Sequence, residues 1–231
     1  MKIAGMEKLS LQDYPNHMSC IIFTQGCNMR CPFCHNSSLI PLEGDAEVSE
    51  EEFFEYIEKR KNMLDGVTIS GGEPTVQKDL KDFIKKVKAI GYEIKLDTNG
   101  MNFSLLKELI DEKLVDYVAM DIKNNVHKYG TTSGVNNIVL DNINKSIELL
   151  KENKVDHEFR TTIVSDFHTL DDIYDIIKVI GDSKYYLQNF KLSDAVIDQS
   201  LKSFTEEELL NWNKKLENYP NVYIRGIEKG K

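Results

Sequence analysis

Cysteine is scarce in this chain and confined to one stretch. Among 231 residues there are four, at positions 20, 27, 31 and 34. A disulfide framework spreads its cysteines along the chain, so that class is excluded. Long apolar runs are missing too: none approaches the roughly 20 residues of a membrane span. The first residues, Met1-Lys2-Ile3-Ala4-Gly5, carry neither the apolar segment nor the cleavage site of a secretion signal. The expected location is the cytoplasm. Basic charge is short as well, with 29 Lys and Arg against 38 Asp and Glu and a formal net charge of −9. Broad nucleic-acid binding needs a basic footprint. Neither nucleic acid nor membrane is therefore an expected partner. Repeats, low-complexity segments and interdomain linkers are absent from the pattern. Residues 1–231 are expected to form one unit, with 1–17 as an extended lead-in and 18–225 as its core.

What is present is a regular alternation. Residues 18–24 read as an apolar strand ending at Gln25-Gly26. Ser49-Glu50-Glu51-Glu52 reads as a helix start, with Phe53, Phe54 and Ile57 on the inner face. A strand over 66–70 runs into Gly71-Gly72-Glu73-Pro74, and a helix over 76–90 follows, closed by Gly91. Further strands are expected over 92–96, 115–119, 157–164 and 185–190. The helices between them fall near 103–113, 138–152 and 170–180. A capped helix over 205–218 and a short strand at 222–224 complete the chain. Residues 124–136, rich in Asn, Thr and Gly, read as a polar loop. Alternating strands and helices imply an α/β fold with parallel strands and right-handed crossovers. Six βα units are too few for the full eight-stranded barrel, so an open, partial (β/α)6 barrel is expected.

The informative stretch is Cys27-Asn28-Met29-Arg30-Cys31-Pro32-Phe33-Cys34-His35-Asn36. Three cysteines at C-x3-C-x2-C spacing can close around one metal centre. Three ligands on a four-iron cluster leave one iron free for a substrate or cofactor. Zinc held by Cys27, Cys31, Cys34 and His35 is a second reading. A thiol-rich loop without metal is the third. Cys20, inside the first apolar strand, reads as a small core filler. No cysteine follows Cys34, so a second cluster held by this chain is not expected. The later strand ends carry Ser-Gly-Gly-Glu, Asp-Thr-Asn-Gly and Asp-Ile-Lys. Each alone can be an ordinary turn or surface pair. Together, after such a loop, they point to a ligand site at the strands' C-terminal ends.

With an aromatic before its last cysteine, this loop resembles that of the radical S-adenosylmethionine (SAM) superfamily. Ser70-Gly71-Gly72-Glu73-Pro74 is similar to the superfamily's second-strand motif. There backbone and the acidic residue receive the SAM amino group, and two glycines suit close backbone approach. Asp97-Thr98-Asn99-Gly100 and Asp121-Ile122-Lys123 resemble segments that contact SAM in glycyl-radical-enzyme activases. Arg160 resembles the basic residue facing the SAM carboxylate, a task that suits its fork. Phe33 lies where the loop packs near adenine, and residues 185–190 are expected to border it. Leu9-Ser10-Leu11-Gln12-Asp13-Tyr14-Pro15, Phe23-Thr24-Gln25-Gly26-Cys27-Asn28 and Cys34-His35-Asn36 resemble anaerobic ribonucleoside-triphosphate reductase activating proteins.

The resemblance implies a 4Fe–4S cluster on Cys27, Cys31 and Cys34, with SAM on the fourth iron. It implies reductive cleavage of SAM to methionine and a 5′-deoxyadenosyl radical, which takes hydrogen from a glycine of a partner protein. The implied partner is a glycyl radical enzyme, the anaerobic ribonucleotide reductase, and the implied electron donor is flavodoxin or ferredoxin. The alternative is a radical SAM enzyme for a small molecule, similar to 7-carboxy-7-deazaguanine synthase. No side chain is required as acid or base. His17, His127, His157 and His168 are expected to be exposed or structural, and His35 to orient the cysteine loop.

Overall fold

The computed structural model describes residues 1–44, 46–136 and 138–228. Positions 45, 137 and 229–231 of the span expected as one unit lie outside the described residues. The eight strands are β1 (Ile3–Ser10), β2 (Ser19–Thr24), β3 (Gly66–Gly71), β4 (Glu93–Thr98), β5 (Tyr117–Asp121), β6 (Asp156–Ile163), β7 (Tyr185–Asn189) and β8 (Val222–Ile224). They lie side by side in chain order in a single sheet. From β2 to β8 every neighbouring pair is parallel. The sheet runs from β1 to β8, and no pairing of these two edges closes it among the described residues. This is the expected α/β partial barrel.

The helices are α1 (Glu50–Lys59), α2 (Leu80–Ile90), α3 (Phe103–Asp111), α4 (Tyr129–Ser133), α5 (Leu140–Lys151), α6 (Leu170–Ile180) and α7 (Glu206–Lys215). Their starts are chemically fixed. Ser49 caps α1 by accepting from the Glu52 amide, and Thr169–Asp172 and Thr205–Glu208 form reciprocal capping boxes on α6 and α7. Gly91 ends α2 at φ +109°, a conformation that glycine reaches without Cβ strain.

Period-two alternation divides the strands between two environments. Ile22 and Cys20 of β2, Ile69 of β3, Leu96 and Ile94 of β4 join Phe53, Ile57, Phe83 and Val87 of the helices in one apolar core. Residues of the opposite parity include the polar Ser70, Lys95, Asp97, Asp121, Glu158 and Arg160, beside the apolar Ile21, Phe23, Tyr117 and Ala119.

Three expectations need correction. The lead-in is a true strand: β1 pairs antiparallel with β2, with Ile3 opposite Thr24 and Glu7 opposite Ile21. The 76–90 helix is interrupted. Pro74–Val76 is a 3-10 turn capped by the Glu73 side chain, and the α-helix begins only at Leu80. The polar loop contains α4, which docks on the cysteine loop: the Arg30 amide donates to the Ser133 carbonyl at 2.9 Å.

Candidate cofactor site

The strands deliver their polar ends to one place. A cavity of about 220 Å³ is lined by Cys27, Cys31, Phe33, Cys34, Ser70, Gly71, Gly72, Glu73, Asp97, Thr98, Asn99, Asp121, Lys123 and Arg160. That is every site residue singled out from the sequence. Met29, His35, Asn36, Ile40 and Thr162 line it as well. Thr162 was legible in principle, because it lies two residues beyond Arg160 on β6 and shares its face.

The cysteine loop is held on three sides. Towards β3, the Glu73 amide donates to the Gly26 carbonyl at 2.8 Å. A Cβ on Gly72 would lie 2.1 Å from that same carbonyl oxygen, and one on Gly71 would lie 2.3 Å from the Thr24 amide nitrogen. These glycines are therefore required first by backbone meeting backbone, and only then by the cavity they line. Towards β7, His35 Nε2 lies 2.5 Å from the Lys191 carbonyl, Ser37 donates to the Ala195 carbonyl at 2.5 Å, and the Asp198 amide donates to Pro32 at 3.0 Å. This strap follows β7, and no residue of 185–190 lines the cavity among the described residues. Phe190 instead packs against the His35 ring at 5.4 Å. The third side is α4. His35 thus orients the loop as expected.

Burial pushes the Cys27 thiol up to about 12 and raises that of Cys31. Lys123 opposes the shift at both. Cys20 is fully buried in β2, in the apolar core rather than the cavity.

Glu73 is 1% exposed and boxed in by donors. Its Oε1 accepts from the Thr75 amide at 3.1 Å, the Thr75 hydroxyl at 2.5 Å and the Thr98 hydroxyl at 2.7 Å; its Oε2 accepts from the Asn99 amide at 2.7 Å. Burial raises its pKa against the pull of these donors. Asn99 in turn donates to Asn28 at 2.7 Å, tying β4's end to the cysteine loop.

A chain of alternating charge also runs through the site. Asp13 meets Lys95 at 3.2 Å and Lys95 meets Asp97 at 2.5 Å. Asp97 meets Arg160 at 3.3 Å, Arg160 meets Asp121 at 2.9 Å, and Asp121 meets Lys123 at 3.1 Å. Burial alone would raise the Asp121 pKa, but the charges of Arg160 and Lys123 outweigh it and hold the carboxyl well below its usual range. Asp97 is lowered for the same reason by Arg160 and Lys95. Burial works against the charge of Arg160 and Lys123, yet both are raised by their carboxylate partners. The sequence reading missed Asp13 and Lys95 because one sits in a turn and the other inside a strand.

Phe33 stands beside Phe167 at 6.2 Å and His168 at 6.4 Å. His168 is 2% exposed. Its Nδ1 accepts from the Val164 amide at 3.1 Å, which leaves Nε2–H to donate to the Lys123 carbonyl at 2.8 Å. It is structural, as expected.

Three thiols on one loop line a polar pit together with Glu73, Arg160 and Lys123, and thiolates are the ligand type of iron–sulfur centres; among the described residues no group of three or more His, Cys, Asp or Glu side chains is gathered as a single metal ion would need. The family model that matches this chain, over residues 21–180, is that of the radical SAM superfamily. The chain belongs to the radical SAM superfamily. Within it, this radical SAM protein is 38% identical over 97% of its length to a protein of Methanocaldococcus jannaschii, covering 96% of that chain. By its name, that relative is a glycyl-radical enzyme activating enzyme. A pyruvate formate-lyase-activating enzyme of Clostridium pasteurianum is 34% identical over 53% of this chain and 52% of its own. In fold, the radical SAM protein matches Streptococcus suis SuiB bound to its precursor peptide SuiA with a TM-score of 0.71 at 16% identity. That match covers 90% of this chain and 48% of SuiB. This radical SAM protein is thus an enzyme of the glycyl-radical-activating type, and the cofactors of its family are a 4Fe–4S cluster and SAM. No helix among the described residues is long and apolar enough to cross a membrane.

Proposed function

We propose that this enzyme installs a glycyl radical on a partner protein, an anaerobic ribonucleoside-triphosphate reductase, using electrons from flavodoxin or ferredoxin. In this reading Cys27, Cys31 and Cys34 hold the cluster. Glu73 and the Ser70–Gly72 backbone take the SAM amino group. Arg160 and Lys123 face its carboxylate, with Asp97, Thr98, Asn99 and Asp121 shaping the polar wall. Phe33 packs near the adenine. When bound, cluster and SAM supply a one-electron cleavage of the sulfonium and a carbon radical able to take hydrogen from a glycine Cα.

The protein's own part is positioning. Glu73 arrives already hydrogen-bonded by Thr75, Thr98 and Asn99, so little reorders when an ammonium approaches. Arg160 and Lys123 share Asp121 and line the same cavity as Glu73. A zwitterionic amino-acid head therefore meets both a carboxylate and cations in this cavity. The cysteine loop, strapped by α4 and the segment after β7, covers the pit from above.

The observation that carries the activase reading is the near full-length similarity to an activating enzyme. The reductase reading rests more narrowly on the segments 9–15, 23–28 and 34–36. The test is anaerobic incubation of the reconstituted enzyme, SAM and a reductant with a candidate reductase. The expected result is a glycyl doublet in the electron paramagnetic resonance spectrum of the reductase. SAM cleavage with no such doublet in any reductase would overturn the partner assignment.

A further inference from the structure

We propose that Lys95 is a positioning residue for Asp97, and through it for Arg160, with Asp13 of the N-terminal turn as its counter-charge. The inference rests on the SAM reading above and assigns the buried cation that this reading leaves without a task.

Lys95 is 0% exposed. An isolated ammonium in such a place is strongly disfavoured, so its partners decide why it is there. Its Nζ donates to Asp97 Oδ1 at 2.5 Å and to Asp13 Oδ2 at 3.2 Å. Neither bond reaches the cavity, and Lys95 does not line it. Asp97 does, and its other oxygen, Oδ2, accepts from Ser70 at 2.8 Å and from Arg160 Nη1 at 3.3 Å. Arg160 meanwhile gives its Nε to Asp121 at 2.9 Å. Arg160 is therefore divided between two carboxylates, and the share that Asp97 takes depends on how far Lys95 satisfies Asp97.

Without Lys95, Asp97 has Arg160 as its remaining cation. The guanidinium is drawn towards Asp97 and away from an incoming ligand carboxylate. The count of charges along the chain points the same way. Asp13, Asp97 and Asp121 balance Lys95, Arg160 and Lys123; removing Lys95 leaves one negative charge in excess beside the ligand. Asp13 is itself built in. Ser10 Oγ accepts from the Asp13 amide at 3.3 Å, and the next residue, Tyr14, is buried with its hydroxyl on Glu93 at 3.3 Å. The Gln-Asp-Tyr-Pro turn is thereby assigned a role at the far end of the cofactor wall.

The test is titration of SAM into the reduced, cluster-loaded enzyme, followed by the SAM-induced change in the cluster's paramagnetic resonance signal. Lys95→Met strands two carboxylates, so Asp13→Asn/Lys95→Met, which removes the pair together, is measured beside it in case the single variant does not fold. In either variant the iron and sulfide content is expected to hold while the SAM Kd rises about tenfold. KM for SAM rises in step, with kcat unchanged. In an Asp97→Asn background the same change at Lys95 adds nothing further, because its effect runs through Asp97. A wild-type SAM Kd in a loaded variant overturns the inference, as does an equal loss in the Asp97→Asn background. A wild-type cluster signal that ignores SAM overturns the cofactor reading and this inference with it. A responsive wild type with unchanged variants overturns this inference alone.

Discussion

At the residue scale, the decisive groups are those whose surroundings leave them one role. Glu73 accepts four hydrogen bonds. Glu73→Gln would set an amide NH2 against donors. Thermal or denaturant unfolding should show a loss of about 1–3 kcal/mol, and SAM binding should weaken in parallel. The four cysteines divide by environment. Replacing Cys27, Cys31 or Cys34 by Ala should abolish the iron and sulfide content. Cys20→Ala should retain it at a cost of about 1 kcal/mol; a Cys20 variant without iron would contradict the ligand assignment. His157 and His168 supply a pH test. Burial lowers both pKa values below that of free histidine. For a base depressed in the folded state, the unfolded chain takes the proton first. Stability is therefore complete above about pH 6.5 and falls as the pH drops towards the lower folded values. The urea midpoint should fall between pH 7.5 and pH 5, and His168→Gln should make that slope shallower.

At the scale of elements, the site depends on backbone contacts between neighbouring segments. α4 is five residues long and owes its place to docking rather than to propensity. Its last turn ends at Gly134, φ +68°, where a Cβ would lie 2.0 Å from the Arg30 carbonyl oxygen. Gly134→Ala should cost about 1–3 kcal/mol and lower the yield of loaded cluster, because relief of the clash moves the cysteine loop. A fully loaded Gly134→Ala protein of wild-type stability would show that α4 does not support that loop. The strap after β7 works in the same way through His35 and Ser37.

At the scale of the whole molecule, the fold was legible because strand and helix periods alternate cleanly along the chain. The cysteine loop and the polar strand ends were legible because their residue types are poor choices for purely structural turns. Other parts were hidden for physical reasons. β1 is half exposed along much of its length and owes its strand form to pairing with β2, which no local pattern records. α4 lies in a stretch rich in Asn, Thr and Gly, where only tertiary contact makes a helix. Lys95 contradicts the rule that lysines stay at the surface, and of the two acids that neutralise it, Asp97 and Asp13, the second sits more than eighty positions earlier in the chain. The glycines of the second-strand motif line the cavity, but the reason read for them was incomplete, since their tightest neighbours are Thr24 and Gly26.

On the proposed function, three thiols and a polar pit make one reductive centre. The most direct measurement is anaerobic reconstitution followed by dithionite reduction, with 5′-deoxyadenosine from SAM and the paramagnetic resonance spectrum read on the same sample. The expected result is the nucleoside together with a reduced 4Fe–4S signal that shifts when SAM is added. Stoichiometric zinc, with neither iron and sulfide nor nucleoside, would contradict it.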